Sequence, residues 1–359
     1  MRPRLKELAW ERSVDKLTLV HDPRDLLVLA DPDGVVEKLL LLLREGGRTI
    51  TELSDELGLP IVDTTDTLKA LDERRLLENG DHLGGMSGTA AERHSGNLAF
   101  FESFGTLERS REDLQQQLSE AHVLVLGTGG PNAHTIPHLC GLGVRKLTLL
   151  DRDTVEARHF SGQYLYRWSD IGARKVERAA DWARAFDPDM DVATIDSGVE
   201  GAGQLAEILA DTRPDLVASG IDQPREADLW VNEACVRHNV PYVRGGMGVT
   251  QGIVWSVAPG ISACRACIPH DPSDPGHHTG PDEPAAARLR DVRPGTHRGI
   301  GPVAGLLGSF GAFEIARHLT AFEPPAYAGR PLTIDFAAGC ATTLTEWPRD
   351  PDCTVCGGK

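Results

Sequence analysis

At residues 121–126 the chain reads AHVLVL, an apolar run with no helical stripe, and it breaks at once into the turn Gly127-Thr128-Gly129-Gly130. A short apolar run bounded by glycine predicts a strand buried on both faces. LTLL at 147–150, VATID at 192–196, DLVASGID at 215–222, PYVRGG at 241–246 and GIVWSVAPG at 252–260 repeat the pattern, with helical stretches between them. The alternation predicts an α/β fold: a Rossmann-like, mostly parallel sheet with helices on both faces and a ligand crevice at the carboxyl ends of its strands. Residues 1–82 are patterned differently. LTLV at 17–20 and LLVLA at 26–30 read as short strands around the turn-forming HDPRD, VVEKLLLLLR at 35–44 as a buried helix stopped by Gly46 and Gly47, and Thr49 with Glu52 as a capping box opening ITELSDELG. A third helix is expected over 61–77, with Leu68, Leu71, Leu76 and Leu77 on its apolar side. Two or three strands with three short helices predict a small winged-helix α+β domain over 1–82. The glycine-rich GDHLGGMSG at 80–88 marks the break after it, residues 83–120 read as a linker and helical segment, and 121–359 as the nucleotide-binding domain.

Composition narrows the partners. A chain of 359 residues with 40% hydrophobic content is comfortable for two domains, each with its own core. With 53 acidic against 37 basic residues the net charge is −16, which argues against binding nucleic acid or an anionic membrane through the general surface. The helix that would enter DNA from a winged-helix domain carries Asp63 and Asp66 where phosphate contacts favour Lys or Arg. The other reading of that domain is a peptide site, in which an extended peptide adds a strand to the exposed edge of the small sheet. No run of eighteen apolar residues occurs and the N-terminus is charged from Arg2, so neither a membrane span nor a secretory signal is expected and a cytoplasmic location follows. Seven cysteines in such a chain point to thiols or metal ligands rather than a disulfide framework.

Two groups of residues carry candidate chemistry. Gly127, Gly129 and Gly130 allow a tight turn and close approach to an anion at the next helix N-terminus, and Asp151 ends the second strand where an acidic side chain can accept from a ribose. Cys264 with Cys267, and Cys353 with Cys356, form two CxxC pairs, enough for a closed tetrahedral zinc site of structural type. His270, His277 and His278 lie in the Pro-, Gly- and Asp-rich stretch 269–298, which reads as a crossover loop and leaves them solvated. Cys140, Cys235 and Cys340 are expected to be packing residues in apolar surroundings.

In order along the chain stand GxGG at 127–130, LxLLDxDxVE at 147–156, DIGxxK at 170–175, SGxD at 219–222, CxxC at 264–267, GPVAGLLGSFGAFEIAR at 301–317 and RDPDCxVC at 349–356. This order resembles the ThiF/MoeB/MccB superfamily, the bacterial relatives of ubiquitin-activating enzymes, from about Arg93 to the C-terminus. Residues 1–80, with RPRL at the start and GGRTITEL, resemble the PqqD-like elements that recognise leader peptides of ribosomally made, modified peptides. The resemblance implies a homodimer that binds ATP and magnesium and adenylates a precursor peptide with release of pyrophosphate. It implies a nucleotide site of Gly127, Gly129, Gly130, Asp151, Asp153, Gln163 and Lys175, with Lys175 and Asp222 catalytic and Asp222 holding magnesium. Such chemistry is catalysed mainly by positioning and charge neutralisation, so one lysine and one metal-binding carboxylate are its minimum equipment.

The chain also departs from the family pattern. RHSGN at 93–97 stands for RYxRQ and HFSGQ at 159–163 for NLxRQ, so Gly96 and Gly162 replace two arginines and His159 an asparagine. The third glycine of the turn is Asn132, and Pro137 interrupts the helix that follows, where it should kink it. Arg158, Arg167 and Arg174 are candidate substitutes for the lost arginines. Two readings therefore stay open: an adenylating enzyme, supported by Asp151, Lys175 and Asp222, and a catalytically degenerate leader-binding scaffold for a modifying partner such as a cyclodehydratase, supported by Gly96 and Gly162. A nicotinamide-dependent oxidoreductase would explain the glycine turn but not the paired CxxC motifs.

Overall fold

The computed structural model describes residues 1–22, 25–224, 226–248, 250–268 and 299–357; the stretch 269–298, with His270, His277 and His278, lies outside the described residues. The chain divides into two compact units, Met1–Gln117 and Leu118–Lys359.

The first unit contains β1 (Pro3–Leu5), β2 (Ala9–Ser13), β3 (Lys16–Asp22), β4 (Asp25–Ala30), α1 (Val35–Glu45), α2 (Ile50–Leu57), α3 (Ile61–Glu73), β5 (Leu77–Asn79), α4 (Gly88–Arg93), α5 (Ser95–Glu102) and most of α6 (Arg111–Glu120). Strands β2, β3 and β4 form an antiparallel meander, and β1 pairs antiparallel with β5. Leu17 and Leu19 on the inner face of β3 meet Leu40 and Leu43 of α1 and Leu53 of α2 in one core. The capping box at α2 is present: Glu52 N–H donates to Thr49 Oγ1 at 3.3 Å and Thr49 N–H to Glu52 Oε2 at 2.7 Å. The expected third helix is too long as read from the sequence. It stops at Glu73, Arg75 takes a left-handed φ of 57°, and Leu77 leaves the helix to pair with Leu5. The apolar spacing of Leu76 and Leu77 fits both a helix and a strand, and the pairing with β1 decides it.

The second unit runs β6 (His122–Leu126), α7 (Asn132–Leu142), β7 (Lys146–Leu150), α8 (Lys175–Phe186), β8 (Asp191–Ile195), α9 (Ala202–Thr212), β9 (Leu216–Ser219), α10 (Ala227–Arg237), β10 (Tyr242–Met247), β11 (Gln251–Val257), α11 (Gly301–Thr320), β12 (Leu332–Asp335) and β13 (Ala341–Leu344). The expected α/β fold is present as an eight-stranded sheet of order β13-β12-β11-β10-β9-β6-β7-β8. Strands β8, β7, β6, β9 and β10 are mutually parallel, and β11, β12 and β13 extend the sheet antiparallel. Every residue of β6 and β9 is buried, as helices on both faces require. Val217 and Tyr242 face α9 and α10, whereas Ala218 and Val243, one residue on, face α7 and α11. Gly308 fixes the fit of α11 on α7, since a Cβ there would lie 2.7 Å from both Pro131 O and His134 Cβ. From β6 the chain winds outward to β7 and β8, then crosses back to lay β9 on the other side of β6. That reversal is the switch point of the sheet, and it opens a crevice above the carboxyl ends of β6 and β9. Among the described residues no helix is long and apolar enough to cross a membrane.

Candidate functional site

The crevice is walled by the turn after β6. Gly127 (φ 79°) and Gly130 (φ 48°) lie in the left-handed region that favours glycine. Gly129 has a different reason: a Cβ there would stand 3.1 Å from Gln163 Nε2, so the bare backbone lets the Gln163 amide lie against the turn. Gln163 is buried, and its Oε1 has no partner among the described residues. Asn132 opens α7, which runs on through Pro137 to Leu142 as one helix. Its amide points inward and donates to Leu126 O (3.2 Å), Gly127 O (2.8 Å) and Ala218 O (3.3 Å), tying the ends of β6 and β9 together. Gly220 makes room for it, since a Cβ at 220 would meet Asn132 Nδ2 at 2.7 Å. The missing third glycine is thus matched by a glycine on the neighbouring strand end.

Asp151, at the end of β7, is buried against this turn, where Thr128 N–H and Thr128 Oγ1 donate to its Oδ2 at 2.7 and 2.9 Å. Tyr166 closes behind them, its hydroxyl 2.8 Å from both Thr128 O and Thr128 Oγ1. Lys175, the first residue of α8, is 3% exposed and its Nζ lies 3.2 Å from Oδ2 of the exposed Asp153. A cation held in so little water beside the carboxyl ends of parallel strands is suited to an anionic ligand. Asp222 follows β9 in the loop that contains the cis Gln223–Pro224 bond; it is exposed and has no partner among the described residues. The structure therefore gathers Gly127, Gly129, Gly130, Asp151 and Gln163 around the turn and pairs Lys175 with Asp153.

Two of the departures have structural accounts, whereas nothing in the structure explains Gly96, where a Cβ would meet no atom within 4 Å. His159 caps its own turn, with Nδ1 accepting from Glu156 N–H at 3.0 Å, and burial followed by the nearby Lys175 charge lowers its pKa. Gly162 is buried, and a Cβ there would meet Gly299 O at 3.3 Å. Of the candidate substitutes, Arg158 pairs with Glu156 at 2.9 Å, Arg174 is held by both carboxylate oxygens of Asp196, and Arg167 is exposed. Arg244, which the sequence reading passed over, is buried midway along β10 against Asp228 (2.7 Å). Thr128 and Tyr166 were also passed over, because neither residue type at those spacings announces a hydrogen-bond chain from Tyr166 through Thr128 to Asp151.

A second site lies at the antiparallel side of the sheet. The four sulfurs of Cys264, Cys267, Cys353 and Cys356 lie within 4.8 Å of one another, and all four residues are buried. Sulfur–sulfur separations of 3.7, 4.0 and 3.3 Å bracket the edge of about 3.8 Å that a tetrahedron of 2.3 Å Zn–S bonds requires, so the donor set fits zinc. Asn232, fully buried on α10, braces the first knuckle: Nδ2 donates to Cys264 Sγ at 3.5 Å while Oδ1 accepts from Arg265 N–H at 2.8 Å. Cys140 and Cys235 are buried as expected, but Cys340 is exposed, with φ 63° in the turn between β12 and β13. The expectation of an apolar setting fails there because its neighbours Ala337 and Ala338 form a solvent-facing turn capped by Asp335.

A model of the ThiF family matches residues 102–355. The chain belongs to that family. The SAMP-activating enzyme E1 of Haloferax volcanii is 30% identical over 243 residues, 68% of this chain and 83% of that protein. The adenylyltransferase and sulfurtransferase MOCS3 of Caenorhabditis briggsae is 26% identical over 285 residues, 79% of this chain but 64% of that longer protein. Among solved structures, Escherichia coli MccB aligns over 100% of this chain and 98% of its own with a TM-score of 0.80 at 19% identity, a likeness of fold. Another structure of that microcin C7 biosynthetic enzyme, in complex with N-formylated MccA, aligns at a TM-score of 0.76 and 19% identity over 99% of this chain and 100% of its own.

Proposed function

We propose that this ThiF-family chain is an adenylating enzyme of ribosomal peptide natural-product biosynthesis, acting as a homodimer: the first unit recognises the leader of a precursor peptide and the second activates that peptide with ATP. The observation that carries the reading is the buried Lys175, held at 3.2 Å by Asp153, whose own N–H donates to the Asp151 carboxylate that Thr128 of the glycine turn also binds. A lysine in that setting costs stability unless an anion repays it, and a nucleotide triphosphate is the anion the turn suits. In the reaction a peptide carboxylate or amide oxygen attacks the α-phosphorus of ATP, the bond from that phosphorus to the bridging oxygen breaks, and pyrophosphate leaves. On this reading Gly127, Gly129 and Gly130 place backbone against the phosphates, Gln163 lies beside them, Asp151 accepts from the ribose, and Lys175 offsets the charge that grows on the leaving group. The exposed carboxylate of Asp222 is free to hold magnesium, which when bound neutralises triphosphate charge. The four cysteines hold structural zinc. Names of relatives support adenylyl transfer, and the complex of MccB with MccA supports a peptide substrate.

The second reading, a degenerate scaffold that presents a leader to a modifying enzyme, draws on Gly162, where Gly299 O occupies the side-chain direction that an arginine would need. The deciding experiment measures pyrophosphate released from MgATP with the cognate precursor. The enzyme reading expects release that falls about 100-fold or more in Asp222→Ala and Lys175→Met. Background-level release in wild type and both variants, with a precursor verified to bind, leaves only the scaffold.

A further inference from the structure

The carboxylate assigned to the ribose is largely committed before any nucleotide arrives. Asp151 Oδ2 accepts from Thr128 N–H (2.7 Å) and Thr128 Oγ1 (2.9 Å), and Oδ1 accepts from Asp153 N–H (2.9 Å). An ionised carboxylate offers about four lone-pair sites, two on each oxygen. Both sites on Oδ2 are filled and one on Oδ1, so a single acceptor position remains. A carboxylate with two free oxygens can accept from both hydroxyls of a ribose at once; this one cannot.

The arrangement does not depend on a mobile surface group. Thr128 is fully buried, so its hydroxyl has no water to turn to. The Thr128 hydroxyl contacts Asp151 Oδ2 and the Tyr166 hydroxyl, and the Tyr166 hydroxyl also contacts Thr128 O, which makes three contacts served by two protons. The charged carboxylate is the strongest of these acceptors, so it takes the threonine proton. The phenol proton is then shared between the two oxygens of Thr128. Burial raises the Tyr166 pKa well above its ordinary value, which keeps that proton in place. Tyr166 therefore directs the Thr128 hydroxyl onto Asp151.

We propose that Thr128 and Tyr166 are positioning residues that set nucleotide specificity, by limiting Asp151 to one ribose hydroxyl and leaving the other unread by this carboxylate. The inference rests on the nucleotide reading of the crevice given above. It is tested on the full chain by calorimetric titration with MgATP and with its 2′-deoxy and 3′-deoxy analogues. One analogue is expected to bind about tenfold or more weakly than ATP, the loss of one hydrogen bond to a charged group, while the other binds within about twofold. Thr128→Val keeps the shape of the side chain but frees a lone pair on Oδ2, so the two analogues should converge to within about threefold of each other. Thr128→Ser, which restores the hydroxyl, should restore the asymmetry, and Tyr166→Phe should narrow it. A side chain that only packs would not move this ratio.

Equal weakening of both analogues in wild type, weakening of neither, or an asymmetry unchanged in Thr128→Val overturns the proposal. The wild-type comparison decides it even where Thr128→Val does not fold. MgATP that binds with no analogue asymmetry refutes this inference alone, whereas wild type that binds no MgATP refutes the nucleotide reading and this inference with it.

Discussion

Replacing Gly220 with alanine tests whether Asn132 is a decayed glycine or one half of a built pair. Gly220 lies outside the left-handed region, so alanine meets no backbone strain there. The added Cβ would stand 2.7 Å from Asn132 Nδ2 and 3.0 Å from Asn132 Cγ, which forces the amide out of its bonds to Leu126 O, Gly127 O and Ala218 O. An amide has two protons to give, so two net hydrogen bonds of about 1 kcal/mol each are lost, and some overpacking adds to them; Gly220→Ala should cost about 2–3 kcal/mol. Asn132→Ala loses the same bonds without the clash and should cost about 2 kcal/mol. On that background the alanine at 220 faces only the Cβ of residue 132, at 3.5 Å, an ordinary contact. The double variant should therefore cost about 2–3 kcal/mol rather than the 4–5 of independent sites, a coupling of about 2 kcal/mol. Urea unfolding followed by tryptophan fluorescence reads it. Five of the six tryptophans, all but Trp10, belong to the second unit, so the signal follows the part of the chain that carries the pair. Additive costs within about 0.5 kcal/mol would refute the pairing of Asn132 with Gly220.

Two further outcomes follow from buried groups. Metal analysis should find one zinc per chain, and removing it by chelation or by Cys353→Ser should lower the melting temperature by several degrees or more; a metal-free chain that melts unchanged refutes the tetrathiolate. His318 gives a pH signature. Burial pushes its pKa down to about 4, and among the described residues its Nε2 has no hydrogen-bond partner, since Glu314 Oε1 is 3.9 Å away and already accepts from Ser256 Oγ and Tyr327 N–H. The unfolded chain binds this proton near pH 6.5 and the folded chain does not, so stability is full above about 6.5, falls as pH drops through the window and levels off near 4, with a loss of up to about 3 kcal/mol. His318→Gln should flatten that part of the urea-midpoint profile between pH 7 and 4.5, and a variant that follows wild type in parallel refutes the assignment.

How far the chain could be read without its structure depended on whether a signal was local. The strands β6, β7 and β9 were legible because a strand covered on both faces must be apolar at every position, and the capping box of α2 because its two partners sit three residues apart. Strand β5 was not, since Leu76 and Leu77 fit a helical stripe until Leu5, more than seventy residues away, claims Leu77. Strands β12 and β13 were missed for the same reason: Thr333, Asp335, Thr342 and Thr343 carry little apolar pattern, and β12 exists because β11 offers it an edge, as β12 in turn does for β13. At the site, glycines and cysteines declared themselves, because positive φ and metal ligation each demand a residue type. Thr128, Tyr166, Asn132 and Asn232 did not, because ordinary polar residues gain their roles only from what the fold sets opposite them.

That difference bears on how the departures are weighed. Asn132 in place of glycine looks like decay in one dimension and in three is answered by Gly220, so a substitution at a motif position measures loss only after its neighbour has been inspected. Applied to Gly162 the same inspection gives the opposite answer: its side-chain direction is filled by Gly299 O, and of the three nearby arginines Arg158 and Arg174 are tied to carboxylates and Arg167 is exposed. On the proposed reading the second unit keeps residues suited to place a nucleotide, while Gly162, like Gly96 in the first unit, stands where the family pattern has a phosphate-clamping arginine. An arginine of that kind is worth about 1,000-fold or more in phosphoryl transfer. On that reading a site so altered should bind better than it turns over, which makes direct nucleotide titration the more sensitive probe of this crevice and pyrophosphate release the more stringent one.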